Sequence, residues 1–231
     1  SFHYDIPSQV YKYMLGKTMM YSCAFWDKGG PEYQTLDDAQ YAKINFLKKK
    51  LRLTNSDNLL DIGTGNGQFI LKCAEEYNIP MHGISLSEEQ LKIAKEEQKK
   101  LNLGNANINF EIKDFKDVKD KTYSKIISIG QFEHQNPQDD GYFKYFKKIY
   151  DLLTKNGIAV IHYIGLNTSQ RPENDFIQRH IFPHGSCKSF SSVIPAIERS
   201  GLILADVDIW RKMYHFTLLE WHKNFMEKKK E

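Results

Sequence analysis

The stretch Leu60-Asp61-Ile62-Gly63-Thr64-Gly65-Asn66-Gly67 decides the fold of this chain. A short apolar run leads into it and an amphipathic segment follows, which predicts a tight turn between a buried strand and a helix. Gly63 and Gly65 permit a sharp turn and a close approach of the backbone to a ligand, and Gly67 lets the helix start pack tightly on the strand. The spacing differs from the Gly-x-Gly-x-x-Gly of dinucleotide sites and lacks the Lys-Ser/Thr of a P-loop. The turn therefore favours a nucleoside-type ligand over a dinucleotide.

Beyond this turn, short apolar runs alternate with amphipathic helical segments. The predicted strands are Asn58–Ile62, Met81–Leu86, Ile108–Lys113, Lys125–Ile129 and Ile158–Ile164. The predicted helices are Gly67–Tyr77, Ser87–Leu101 and Tyr142–Leu153, the last ending at a turn over Lys155-Asn156-Gly157. This alternation predicts an α/β fold with a parallel sheet and helices on both faces, whose ligands bind beyond the carboxyl ends of the strands.

The chain before the first strand has a different pattern. Leu36, Ile44, Leu47 and Leu51 fall close to one helical face, with charged residues between them. We predict an N-terminal helical cap over residues 1–55 and one compact ligand-binding domain over residues 56–231.

Composition excludes several classes of function. The formal net charge of +3 over 231 residues is too small to indicate nucleic acid binding. The Lys48–Lys50 and Lys228–Lys230 runs read as solvated faces or as weak attraction to anionic lipid headgroups. Three widely spaced cysteines, no apolar run of membrane-spanning length and no signal-peptide pattern predict a cytoplasmic protein. No metal site is expected, because Pro183 keeps His180 and His184 from sharing a helical face.

Two further loops follow predicted strands and carry polar side chains. Ser85 stands after the second strand, and Gln90 could either contact a ribose or complete a capping box with Ser87. After the third strand, Asp114 and Phe115 suit the amino group and ring face of an adenine. An ordinary turn aspartate beside a core phenylalanine explains the same two residues equally well.

Several segments, in order along nearly the whole chain, resemble the cyclopropane-fatty-acid synthase family, which includes mycolic acid cyclopropane synthases and some plant alkaloid N-methyltransferases. The matching segments are His3–Ile6, Gly16–Phe25, Leu60–Gly67, Gly83–Gln90, Ser128–His134, Ile161–Gly165, Ile181–Gly185 and Tyr214–Trp221. The resemblance implies the Rossmann-like fold of class I methyltransferases, with a central, mostly parallel, seven-stranded sheet. It also implies S-adenosylmethionine as the cofactor, for which an acid in the position of Asp61 is typical.

The resemblance carries site residues onto this chain. The implied contacts to S-adenosylmethionine are Tyr21, Ser22, Asp61, Gly63, Gly65, Ser85, Gln90, Asp114, Phe115 and, near the methionine end, Gly130. The family's cyclopropane enzymes also hold a bicarbonate ion beside the transferred methyl group. The implied bicarbonate residues are Cys23, Glu133, His162, Ile164 and Tyr214.

The residues themselves support these roles unequally. Glu133 stands at the end of a strand, where a carboxylate favours function. His162, within a strand, fits a ligand contact or a satisfied core histidine equally well, and Tyr214 alone would be read as a core ring. Cys23 would be a small buried residue, and a nucleophilic role is not expected because the reaction needs no covalent step.

The predicted activity is transfer of a methylene or methyl group from S-adenosylmethionine to the double bond of an unsaturated acyl lipid, assisted by bicarbonate. The alternatives are an N- or C-methyltransferase acting on a small amphiphile, and a cofactor-binding protein without catalysis. The second alternative stays open because bacterial relatives carry an additional N-terminal domain and continue beyond the region of Trp221. Peripheral contact with the inner face of the membrane and self-association into homo-oligomers are compatible with the sequence.

Overall fold

A computed structural model describes residues 8–104, 106–119, 121–136, 138–166, 168, 175–180 and 187–228. The segments His3–Ile6 and Ile181–Gly185 that entered the family resemblance, with Pro183 and His184, lie outside the described residues.

The helices are α1 (Ser8–Leu15), α2 (Leu36–Leu51), α3 (Gln68–Ala74), α4 (Glu88–Lys100), α5 (Gly141–Leu152), α6 (Asp175–His180), α7 (Phe190–Ser200) and α8 (Met213–Lys228). The strands are β1 (Leu59–Ile62), β2 (Met81–Ser85), β3 (Ile108–Ile112), β4 (Tyr123–Ile129), β5 (Leu153–His162), β6 (Gly165–Leu166) and β7 (Lys188–Ser189).

The chain forms two compact units. The first comprises Ser1–Lys50 with Asp208–Glu231, and the second comprises Leu51–Val207. The division near residue 50 lies close to the predicted boundary at residue 55, whereas the last 24 residues group with the first unit instead of the second.

The second unit is built on a five-stranded parallel sheet. The strand order is β3-β2-β1-β4-β5, with Leu59 of β1 paired to Met81 on one side and to Lys125 on the other. The prediction of a parallel sheet is confirmed, but the count of seven is wrong for the central sheet of the described residues. The short strands β6 and β7 form a separate parallel pair. Their two-residue length explains why periodicity could not assign them.

The central strands are buried on both faces, as expected of a parallel sheet covered by helices. All residues of β1 and β2 are buried. The amphipathic helix α5 packs an aromatic face onto the sheet, and Phe132 stacks among its rings. That core includes Leu60, Ile62, Ile84, Phe115, Ile126, Phe132, Tyr145, Phe146 and Ile149. The crowded aromatic residues of this helix are thus largely core.

The predicted turn at residues 155–157 is wrong. Helix α5 ends at Leu152, and the chain continues directly into β5 at Leu153. The pairing with β4 shifts from Tyr123↔Leu153 to Lys125↔Ile158, so residues 154–157 form a bulge in the strand. A bulge and a turn both require extra residues and favour glycine, and Gly157 lies where a Cβ would approach the Ser124 carbonyl oxygen to 3.1 Å.

The first unit buries a small core between its helices. It contains Leu15, Ala24, Trp26, Leu36, Ala39 and Trp221. Thr217 of α8 fixes the segment before α2: its Oγ1 accepts hydrogen bonds from the Ala24 backbone N–H at 3.0 Å and from the Trp26 indole at 3.1 Å. Among the helices described, none is long and apolar enough to cross a membrane.

Candidate active site

The glycine-rich turn joins β1 to α3 at the carboxyl edge of the sheet. Gly63, Gly65 and Gly67 all have positive φ, at 76°, 54° and 75°. The backbone N–H groups of Gly63 and Thr64 both donate to the Ile84 carbonyl oxygen of β2, at 3.0 and 2.9 Å. A Cβ on Gly67 would lie 2.8 Å from the ring of Phe110 and 2.9 Å from Ala94, so this glycine allows close packing, as predicted.

The space over two glycines is open. A Cβ built on Gly65 or on Gly130 would meet no atom of the described residues within 4 Å, although both glycines have positive φ. Gly63 differs, because a Cβ there would lie 2.9 Å from the side chain of Gln131. Gly65 and Gly130 follow β1 and β4, which are neighbours in the sheet. The glycines therefore keep this edge clear for a ligand to approach the backbone.

Asp61 lies under the turn and is almost fully buried. Its Oδ2 accepts a hydrogen bond from the Thr64 hydroxyl at 2.8 Å. Burial raises the pKa of the Asp61 carboxyl to about 7, and the Thr64 hydrogen bond offsets only part of this rise. Near neutral pH this carboxyl is therefore partly protonated, able to donate as well as accept a hydrogen bond.

Ser85 and Gln90 are brought together after β2. The Ser85 hydroxyl donates to the Gln90 side-chain oxygen at 3.2 Å and accepts from the Ser87 backbone N–H at 3.1 Å. Ser87 caps α4 by accepting from the Gln90 backbone N–H at 3.3 Å, as predicted. Gln90 thus links the helix cap to Ser85, and its role in binding a ribose stays a prediction.

Asp114 and Phe115 follow β3. The Asp114 carboxylate caps a short helical turn by accepting from the Lys116 backbone N–H at 3.0 Å. The Phe115 ring is 6% exposed and packs edge-on against Tyr145 with ring centroids 5.2 Å apart. These contacts match the turn-and-core interpretation, and the adenine contact stays a prediction.

Glu133 lies in the short helical turn that follows β4. Its Oε1 accepts a hydrogen bond from the Ile164 backbone N–H at 2.8 Å, so two of the predicted bicarbonate residues are in direct contact. Its Oε2 is buried and has no hydrogen-bond partner among the described residues. Burial raises the pKa of the Glu133 carboxyl, and backbone N–H groups and the positive charge of Lys188 offset part of this rise. A buried carboxyl oxygen without a partner is costly unless a ligand uses it.

His162 ends β5, next to the loop that carries Glu133. It pairs with Ile129 across the sheet, and its carbonyl oxygen accepts from the Gly130 backbone N–H at 2.9 Å. The backbone of His162 therefore holds the start of the Gly130–Gln135 loop.

The remaining predicted site residues belong to the first unit, where two of them meet at one indole. The Tyr21 and Tyr214 rings both pack against Trp221, with centroid distances of 5.3 and 6.1 Å.

Ser22 and Cys23 lie along one face of α2. Lys43 is fully buried and donates to the Ser22 hydroxyl at 2.6 Å, while the Gln40 side chain donates to the Ser22 carbonyl oxygen at 3.0 Å. Burial lowers the pKa of Lys43 to about 7 and raises the pKa of the Cys23 thiol to about 11. A protonated thiol is a poor nucleophile, in keeping with the predicted non-covalent role.

Sequence reasoning missed Gln40, Lys43 and Lys188. For the first two a signal exists, because both fall on the apolar face of α2 with Leu36, Ile44 and Leu47. Lys188 carries no such signal, since β7 has only two residues. Across the part of the chain that the structure describes, no group of three or more His, Cys, Asp or Glu side chains could hold a metal ion.

A parallel sheet in the order β3-β2-β1-β4-β5, with a glycine turn after its central strand and a carboxylate after the neighbouring strand β4, is typical of Rossmann-like nucleotide-binding folds. Superposition on solved S-adenosylmethionine-dependent enzymes assigns the chain to the class I methyltransferase fold. Over all of residues 1–231 the sequence matches the family described as Mycolic acid cyclopropane synthetase, and the chain belongs to that family.

Curated relatives agree with this assignment. A "Probable fatty acid methyltransferase" of Pseudomonas putida is 34% identical over 97% of this chain and 57% of its own length. The "Cyclopropane-fatty-acyl-phospholipid synthase" of Escherichia coli K12 is 30% identical over 97% of this chain and 55% of its own length. The chain thus spans a little over half the length of these relatives.

Solved structures share the fold. The cyclopropane synthase MmaA2 from Mycobacterium tuberculosis superimposes with a TM-score of 0.88 at 26% identity, covering 99% of this chain and 82% of its own. The mycolic acid cyclopropane synthase CmaA1, complexed with SAH and CTAB, gives a TM-score of 0.87 at 26% identity with the same coverage.

Proposed function

We propose that this protein transfers a one-carbon unit from S-adenosylmethionine to the double bond of an unsaturated fatty acyl chain, with a bicarbonate ion bound at Glu133. The observation that carries the proposal is the buried Oε2 of Glu133, which has no partner among the described residues and follows the strand next to the glycine-rich turn. Family membership supports the same reaction, since cyclopropane synthases are among the relatives by name.

The turn after β1 fits S-adenosylmethionine. The open space over Gly65 and Gly130 leaves room for a bulky nucleoside, and a Cβ on either glycine would occupy part of that room. In this proposal the second unit holds the cofactor through Asp61, Gly63, Gly65, Ser85, Gln90, Asp114, Phe115 and Gly130. The cofactor contacts of Tyr21 and Ser22 stay predictions of the family resemblance. When bound, the cofactor supplies an electrophilic methyl group.

Glu133 suits an anion that must also handle a proton. The Ile164 N–H fixes one carboxyl oxygen, which leaves the other directed away from that bond and able to contact a ligand. Because burial raises the pKa of Glu133, its protonated form persists to higher pH than in an exposed glutamate, and in that form the carboxyl would donate a hydrogen bond to bicarbonate. When bound, bicarbonate supplies a base for the proton that ring closure releases.

The same proposal assigns roles to two other predicted residues. His162 and Ile164 place the Glu133 loop through their backbone groups, at Gly130 and at Glu133. The bicarbonate roles of Cys23 and Tyr214 stay predictions of the family resemblance. The acyl substrate is proposed to be membrane lipid reached by peripheral contact from the cytoplasmic side.

Two experiments test the proposal in sequence. Calorimetric titration of the purified chain with S-adenosylmethionine and S-adenosylhomocysteine should show binding of both, and NADH should not bind. Absence of binding by both sulfur nucleosides would overturn the cofactor assignment.

Lipid mass spectrometry then tests the reaction. In bacteria lacking their own cyclopropane synthase, expression of this chain should add the mass of one CH₂ group to unsaturated acyl chains with loss of their double bonds. Methylated amines with unchanged acyl chains would instead support an N-methyltransferase. Cofactor binding with no turnover on either class would indicate a binding protein without catalysis.

A further inference from the structure

Lys188 is a buried cation that the predicted site does not include. It opens the short strand β7 and is 1% exposed. Lysine is rarely buried without a specific partner, because removing its charge from water is costly. The contacts of Lys188 show what offsets this cost.

Lys188 touches both segments that hold Glu133. Its Nζ donates to the Gln135 carbonyl oxygen at 2.7 Å, two residues beyond Glu133. Its backbone N–H donates to the Ile164 carbonyl oxygen at 3.4 Å, in the residue whose own N–H binds Glu133. The ammonium also lies over the Tyr142 ring, 5.2 Å from its centroid. The lysine therefore joins the loop after β4 to the end of β5.

The charge of Lys188 acts on Glu133. Two further titratable groups that interact with this carboxyl are Tyr145 of α5 and Tyr163 after β5. Burial, reinforced by the charge of Glu133, raises the pKa of both phenols, that of Tyr163 to about 12, so they stay neutral near pH 7. Lys188 contributes a positive charge that acts on Glu133.

We propose that Lys188 is a positioning residue for Glu133: it holds the loop that carries this carboxyl, and its positive charge favours the ionised form of the carboxyl. The effect on turnover rests on the proposed function, whereas the effect on the titration of Glu133 does not. The two can therefore fail separately.

Three substitutions separate the two parts of this role. Lys188→Met removes both donor and charge, Lys188→Gln keeps a hydrogen-bond donor without charge, and Lys188→Arg keeps both. Lys148 offers a matched control, because its Nζ donates to the Val118 carbonyl oxygen at 2.6 Å elsewhere in the same unit. Lys148→Met thus removes a similar bond without touching the Glu133 loop.

The primary measurement is the titration of Glu133 in the full chain, followed by NMR of isotope-labelled glutamate carboxyl carbons and assigned with Glu133→Gln. A nearby cation lowers the pKa of a carboxyl, so its loss should raise the Glu133 midpoint in both Lys188→Met and Lys188→Gln. Lys188→Arg and Lys148→Met should leave the midpoint unchanged. An unchanged midpoint in the Gln variant overturns the proposal, and this holds even if the Met variant does not fold.

The pH profile of lipid turnover gives the second measurement. The limb that depends on Glu133 should move to higher pH by the same amount in Lys188→Gln and return to its place in Lys188→Arg. A uniform loss of turnover at every pH, with the NMR midpoint unmoved, would show a merely structural lysine. If no lipid is turned over at all, the proposed function fails while the NMR titration still decides the role of Lys188.

Discussion

Two loops at the carboxyl edge of the sheet differ in how they use their polar groups. In the turn after β1, Asp61 is paired with Thr64, and the backbone N–H groups of residues 63 and 64 are bound to Ile84. In the loop after β4, Glu133 has one carboxyl oxygen bound and the other buried without a described partner. The first loop can therefore contact a ligand mainly through its open backbone surface, whereas the second carries a carboxyl oxygen that a ligand can hydrogen-bond.

The largest expected effect is the loss of lipid turnover on substitution of Glu133 in the second loop. Glu133→Gln keeps the volume and an acceptor for the Ile164 N–H but cannot ionise, so lipid turnover should fall by ~100-fold or more. Affinity for S-adenosylmethionine, measured by calorimetry, should change little because the proposed cofactor contacts do not include Glu133.

Glu111→Gln serves as the control, since this glutamate of β3 pairs with His82 and Lys113. It should leave turnover unchanged. Equal losses of turnover and cofactor affinity in Glu133→Gln would contradict the separation of roles between the two loops.

A smaller effect, on cofactor affinity, is expected from substitution of Gly65 in the first loop. Gly65→Ala places a methyl group in the open space over the turn and should weaken S-adenosylmethionine binding by ~10-fold, about 1.4 kcal/mol. Gly65→Ala also strains the backbone, because an alanine rarely adopts a positive φ, so a control variant must introduce the same strain without occupying the ligand space.

Gly29→Ala provides the control, since Gly29 also has positive φ, at 102°, and among the described residues a Cβ there would contact Tyr33 alone, at 3.8 Å. Thermal unfolding should show similar destabilisation in both variants, but cofactor affinity should fall only for Gly65→Ala. Equal affinities would mean that the cofactor does not approach Gly65.

The pH dependence of stability gives a third test of the first loop. The folded-state pKa of Asp61, about 7, lies above that of an unfolded aspartate, ~3.9, so the folded state binds more protons between these values. The Asp61 contribution to stability is therefore full at low pH and declines by about 1 kcal/mol per pH unit as the pH rises towards 7. Asp61→Asn should remove this decline in urea unfolding measured from pH 4 to 7.

Asp57 gives a control of opposite sign. Although desolvation raises its pKa, hydrogen bonds from Ser124 and Thr54 and the charge of Lys125 lower it overall. Its stabilising contribution is constant above the pKa of an unfolded aspartate, ~3.9, and is lost as the pH falls below that value. Asp57→Asn should therefore leave the slope from pH 4 to 7 unchanged and reduce the loss of stability when the series is extended below pH 4. A wild-type slope that persists unchanged in Asp61→Asn would show that Asp61 does not titrate as described.

Local pattern was sufficient for much of the fold and for the first loop. The strands β1 to β4 and the helices α4 and α5 lie within a few residues of their predicted bounds, because buried strands and capped helices have strong periodic signals. The bulge of residues 154–157 was mistaken for a turn, because glycine and asparagine serve both. The pair β6 and β7 is too short for any period.

The parallel α/β sheet, the glycine turn and the family could all be predicted from the sequence, because each is recognised from short local segments. Only the tertiary structure decided how Glu133 is held. The Ile164 N–H that binds its carboxyl is 31 residues away in the chain. Lys188, which binds the Gln135 carbonyl oxygen in the same loop, lies 53 residues beyond Gln135. Burial and charge at such distances arise from packing, and no local pattern of residues encodes them.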